Sequence, residues 1–108
     1  MTKQTGDILD VLFATINSRK GADESASYTA QLLASGAGHI GRKLNEESVE
    51  ALMAALAGDR ENLTAEAADI VYHLLVLLAA ADIDIADLWQ ELARREGVSG
   101  VAEKAARV

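Results

Sequence analysis

With 108 residues, half of them hydrophobic and only 4% aromatic, the chain has material for one domain, residues 1–108, around a core of Leu, Ile, Val and Ala. Seventeen acidic against ten basic residues give a formal charge of −7, which argues against a nucleic-acid backbone or an anionic membrane as partner but leaves room for a small polyphosphate that arrives with metal. The absence of cysteine excludes disulfides, thiolate catalysis and cysteine-based zinc or iron–sulfur sites.

No proline interrupts the chain, and its glycines fall mostly between periodic segments, as expected of helices joined by short turns. Residues 1–7 lack the apolar stretch of a signal peptide. Asp7 is placed to cap a first helix in which Ile8, Leu9, Leu12, Phe13 and Ile16 follow helical spacing to about Asn17-Ser18. The loop Arg19-Lys20-Gly21-Ala22-Asp23 follows, and a second helix is expected to start near Asp23 or Ser25, carry Tyr28, Leu32 and Leu33, and end in a turn or kink at Gly36-Ala37-Gly38. A third helix over about residues 39–57 has Ile40, Val49, Leu52, Met53 and Leu56 as its apolar stripe, with Gly58-Asp59 as C-cap and turn. The fourth runs from Arg60 or Glu61 to Ala81 and is apolar nearly all round after Ile70, which predicts burial on most sides. Its apolar run, residues 70–81 with His73 inside it, falls short of the roughly 18 residues that a membrane span needs. Asp84 can cap a fifth helix over residues 85–95, with Leu88, Trp89 and Leu92 inward and Gly97 as its stop, and residues 99–107 form a last short helix. The expectation is an all-α bundle of four to five helices in a soluble, cytoplasmic protein.

Two acidic clusters stand out. Glu46-Glu47-x-x-Glu50 falls within about one third of the third helix's circumference, and Glu66-x-x-Asp69 shares one side of the fourth with His73 and Val76. If the two helices pack antiparallel across Gly58-Asp59, Glu50 lies about two turns before the break and Glu66 and Asp69 about two turns after it, so the clusters come level. Taken singly, the first cluster reads as a solvated helix face and the second as charge complementing a helix N-terminus. Taken together, beside an apolar run and with no Lys or Arg on those faces to pair with, they need a cation. Oxygen-only ligands select a hard ion such as Mg²⁺, and neither cluster has the Glu-x-x-His of a di-iron bundle. His73, one turn after Asp69, reads as a core histidine or one that orients a ligand. Arg19 and Lys20 in the first loop and Arg42 with Lys43 ahead of the glutamates are cations capable of meeting phosphate, with surface charge the default for each and Lys43, one turn before the glutamate pair, the most notable. The hydroxyls of Ser27-Tyr28-Thr29 can cap the second helix, the simpler reading, or touch a ligand.

The order Ser27-Tyr28-Thr29, Leu32-Leu33-x-x-Gly36, Ile40-x-x-Lys43, Glu46-Glu47-x-x-Glu50, Gly58-Asp59 and the run from Glu66 through Asp69-Ile70-Val71-Tyr72-His73 to Leu78 resembles the phosphoribosyl-ATP pyrophosphatase family. The likeness spans about residues 9–95. The acids alone point only to the broader all-α, MazG-like pyrophosphohydrolases, which include dimeric dUTPases; the Ser-Tyr-Thr segment and the Tyr-His-Leu-Leu run narrow it. Asn45 stands where that pattern has glycine and Ser48 where it has alanine. The resemblance implies Mg²⁺-dependent hydrolysis of phosphoribosyl-ATP to phosphoribosyl-AMP and pyrophosphate, in histidine biosynthesis, by a bundle completed as a homodimer or higher homo-oligomer. It makes Glu47, Glu50, Glu66 and Asp69 the metal ligands, with Glu46 a neighbouring ligand or base; the mechanism expected on that footing has Glu46 or Glu47 orient the water and Lys43, Arg19 and Tyr28 meet the substrate. A house-cleaning nucleoside triphosphate pyrophosphohydrolase would share this metal chemistry, and a non-catalytic helical dimerisation module would use the glutamates only as surface charge.

Overall fold

The computed structural model describes residues 5–107, so the N-terminal reading over residues 1–4, like the last residue, lies outside the described residues. Six helices follow in order: α1 (Ile8–Ser18), α2 (Tyr28–Ser35), α3 (Ala37–Ala57), α4 (Arg60–Ala80), α5 (Ile85–Arg95) and α6 (Gly100–Ala106). No strand occurs among the described residues. The fold is therefore all-α, the expected bundle together with its expected last short helix.

The longest helices, α3 and α4, form an antiparallel hairpin whose turn is set by two adjacent residues. Gly58 takes a left-handed conformation (φ 71°) that closes α3, and the Asp59 carboxylate then accepts from the Asn62 N–H to open α4. Phe13 and Ile16 of α1, Leu32 of α2, Ile40 of α3 and Leu75, Val76 and Ala79 of α4 make the core, closed by Ile85 of α5. Trp89 Nε1 donates to Asp10 at 2.7 Å and ties α5 to α1. Helix α6 is held chiefly by charge: the buried Glu103 accepts from Arg94 at 2.8 Å, with Arg95 and Arg107 also within ion-pair distance.

Several boundaries differ from expectation for local reasons. Ser25 does not open a helix, because its N–H and hydroxyl both donate to Asp23 and hold a turn; Ser27 is the cap, accepting from Ala30 N–H at 3.1 Å. Only Gly36 (φ 89°) breaks α2 from α3, and Ala37 and Gly38 are already helical. The Asp7 side chain makes no capping bond, whereas Asp84 does so as expected, accepting from Ala86 N–H.

The apolar stripe of α3 is the larger departure. Toward α4 it presents Ala51 and Ala54, both buried, while Val49, Leu52, Met53 and Leu56 are 50 to 80% exposed. At about 100° per residue, that outer stripe lies on the far side of α3 from the alanines. Helix α4, by contrast, is covered on most sides after Ile70, as expected: His73, Leu75, Val76 and Ala79 are buried, Val71, Tyr72, Leu77 and Leu78 are half-buried against the core, and Leu74 alone is exposed. By length and composition α4, at 21 residues, could cross a membrane, unlike the shorter run read from sequence, but its covered residues are the core of this bundle.

Candidate metal centre and family

Small residues at the α3–α4 contact let the two backbones approach, and the hairpin brings Glu47 about level with Ile70, next to Asp69 and one turn from Glu66. Glu47, Glu66 and Asp69 each point a carboxylate oxygen into one space, the three atoms lying within 4.8 Å of one another. Glu50, one turn further along α3, acts on the same Glu66 carboxyl. All four acids read as ligands from sequence are thus gathered by the hairpin.

The electrostatics of this group are those of like charges held together. Glu47, at hydrogen-bond range, pushes the Glu66 carboxyl up from its usual 4.5 to about 7, with burial and then Glu50 adding to the shift. Glu66 Oε2 is buried and has no hydrogen-bond donor among the described residues. A bare acceptor among crowded like charges is an arrangement that a cation would relieve. The donor set fits a hard divalent ion, since all three converging ligands are carboxylate oxygens.

Around this centre the structure sorts the remaining candidates. Glu46 is exposed on α3, and Lys43 Nζ sits 3.6 Å from it; this corrects the expectation that no cation faces the acids, although a surface pair of this kind contributes at most about 1 kcal/mol. Arg19 is not brought to the acids within one chain. It caps the C-terminus of α1, beside Lys20, whose ammonium pairs at 2.9 Å with Asp82 just beyond α4, roughly 15–20 Å along the helix from Asp69.

Tyr28 is close. Its ring is 6.4 Å from that of Tyr72 and nearly parallel to it, and both rings meet His73 edge-on, at 6.5 Å for Tyr28 and 5.1 Å for Tyr72. Thr29 and Tyr72 share a hydroxyl hydrogen bond of 2.5 Å. His73 Nδ1 lies 2.8 Å from the Asp69 carbonyl oxygen, which can only accept, so Nδ1 carries a proton and, in the neutral ring, Nε2 is an acceptor. That Nε2 is buried without a partner among the described residues. The grouping of Tyr72 and His73 with Tyr28 was not assigned from sequence, although positions three and four residues after Asp69 share its helix face and carry that signal. On the other side of the acids, toward the Gly58-Asp59 turn, Glu50, Met53, Ala54, Asn62 and Glu66 line an open cleft of about 360 Å³. A larger cavity, about 430 Å³, lies beside Lys20 and Asp82 and includes none of the four acids.

Comparison with known proteins agrees with this geometry. A profile of the family described as phosphoribosyl-ATP pyrophosphohydrolase matches residues 9–96, which include every residue of the acidic centre and the aromatic group. Among curated relatives, the phosphoribosyl-ATP pyrophosphatase of Rhizorhabdus wittichii is 57% identical over 99 residues (92% of this chain, 93% of the relative), and that of Roseobacter denitrificans 56% over 99 residues (92% and 94%). The enzyme of the same name from Azospirillum brasilense is 48% identical over 105 residues, 97% of this chain and 95% of its own. With most of its length matched, and with an all-α hairpin that carries the acids, the chain belongs to the phosphoribosyl-ATP pyrophosphohydrolase family.

Proposed function

We propose that this chain is a cytoplasmic hydrolase that cleaves phosphoribosyl-ATP to phosphoribosyl-AMP and pyrophosphate in histidine biosynthesis, with Glu47, Glu50, Glu66 and Asp69 holding Mg²⁺. The observation that carries the metal assignment is the convergence of Glu47, Glu66 and Asp69 on one space, with a buried Glu66 oxygen that has no donor. A bound Mg²⁺ would supply positive charge to the phosphate oxygens and acidity to a water. Glu46 or Glu47 takes the proton of the attacking water; Glu47 belongs to the acidic centre itself, and Glu46 adjoins it on the more exposed side of α3. Lys43, one turn away on α3, offsets charge on the departing pyrophosphate. Tyr28 contacts the substrate from the start of α2. Arg19 is proposed as a contact only with a distant part of a long substrate or with one bound by another subunit, given its position beyond the end of α4.

The functional unit in this reading is a homodimer or a higher homo-oligomer. The outward stripe of Val49, Leu52, Met53 and Leu56 supports it, since four large apolar side chains on the same helix as the acids are left in water by a single chain. Pyrophosphate release from phosphoribosyl-ATP, measured beside a panel of ordinary nucleoside triphosphates with and without Mg²⁺, tests the activity. Comparable turnover of the ordinary nucleotides would overturn the substrate, and release that ignores Mg²⁺ would overturn the metal.

A further inference from the structure

Only four residues of this chain are Phe, Trp or Tyr, and two of them, Tyr28 and Tyr72, meet at one place with His73. Packing alone does not account for the group, because Tyr28 is 52% exposed and stands outside the core. Nor does packing explain a histidine at its centre. His73 is 5% exposed, its Nδ1–H is spent on the Asp69 carbonyl, and its Nε2 faces no donor, a position where phenylalanine would leave nothing unsatisfied.

We propose that the aromatic base of the nucleotide substrate stacks on Tyr28 and presents an N–H to His73 Nε2, so that Tyr28 and His73 are the base-recognition pair of the site. The inference rests on the nucleotide hydrolase reading above and adds to it the element that chooses the base. The Tyr28 and Tyr72 rings, 19° from parallel with centroids 6.4 Å apart, both meet the His73 ring edge-on, so the half-exposed Tyr28 is the member of the group that an incoming planar base can displace or stack upon beside His73. Tyr72 is the fixed wall, held through its hydroxyl by Thr29. The same His73 ring is tied to Asp69, which sets the base one helical turn from the acids and leaves the polyphosphate to reach them. A site that hydrogen-bonds a base edge discriminates strongly against an analogue lacking that group.

Inhibition of the Mg²⁺-loaded enzyme by three probes tests this: AMP, purine riboside 5′-monophosphate, which lacks the amino group, and inorganic pyrophosphate, which lacks the base. The unaltered protein is expected to prefer AMP to the purine riboside by roughly tenfold. His73→Phe, which keeps an edge-on ring, should bind the two alike, and Tyr28→Ala should weaken both by roughly tenfold, whereas Tyr28→Phe should not. Pyrophosphate inhibition should hold in all variants. A His73→Phe protein that still prefers AMP overturns the proposal, as does loss of pyrophosphate inhibition in step with loss of AMP binding, which would reduce both residues to supports of the acids. Failure of the unaltered protein to hydrolyse phosphoribosyl-ATP would instead refute the activity; calorimetric titration of the same proteins with AMP and the purine riboside would then decide the base pair independently.

Discussion

Loading the acidic centre with Mg²⁺ should expel protons, in an amount that follows from Glu66. Its carboxyl stands at about 7 in the metal-free protein because Glu47 and Glu50 crowd it and burial adds to the effect. A ligand to Mg²⁺ must be ionised, so the proton that Glu66 carries has to leave when the ion enters. The protonated fraction, and with it the release per site, is therefore about 0.9 at pH 6, about 0.5 at pH 7 and about 0.1 at pH 8. Titration calorimetry with Mg²⁺ in two buffers of different ionisation enthalpy reads this number directly. The same shift fixes a sign for stability. Below about pH 4.5 Glu66 is protonated in both folded and unfolded chains; as pH rises from 4.5 through about 7, the unfolded chain ionises first, so the metal-free protein loses stability across that window. Excess Mg²⁺ reverses the trend, since the ion stabilises the ionised folded form. Proton release below about 0.1 per site at pH 6, or a metal-free melting temperature that climbs through this window, would refute the crowding of these carboxylates.

Three other perturbations have defined outcomes. Glu47→Ala and Asp69→Ala each remove one of the three converging oxygens and should abolish pyrophosphate release while the circular dichroism melt is kept; full activity in either removes that residue from the centre. Leu52→Glu places a charge on the outer stripe of α3, where it costs the single chain little because Leu52 is 59% exposed, so sedimentation should report a shift to monomer with helicity retained; an unchanged sedimentation profile moves the subunit contact elsewhere. Gly58→Ala meets no neighbouring atom but inherits φ 71°, and the strain should cost about 1 kcal/mol, read as a melting temperature lower by about 4–8 °C.

How far the sequence carried each feature depended on whether its cause was local. Helix boundaries fixed by a single capping side chain, such as Asp59 and Asp84, were legible because the cap and the turn it makes are neighbours in the chain. The start of α2 was not, because Asp23, Ser25 and Ser27 are all suitable caps and the Asp23–Ser25 bonds that decide between them belong to a turn. The acidic centre was legible because a two-residue turn between two long helices leaves few registers. The aromatic group was not, since Tyr28 reaches Tyr72 across helices separated by more than forty residues of chain.

Helix α3 explains why hydrophobic periodicity misplaced its own core face. The stripe Val49, Leu52, Met53 and Leu56 was the stronger signal, yet the face packed on α4 carries Ala51 and Ala54 together with Glu47. These two facts have one physical origin. Carboxylates from facing helices can share an ion only if the backbones come close, which large side chains on the facing surface would prevent, so the inward side must be small and partly acidic. The bulky residues then occupy the opposite face, about half a turn away, where they are useful only against another surface. A rule that assigns the most apolar stripe to the chain's own core reverses such a helix. In this reading the exposed stripe and the gathered acids are two consequences of a single demand, close approach of α3 to α4, and the same helix that holds the metal ligands becomes the contact through which a second copy would steady them.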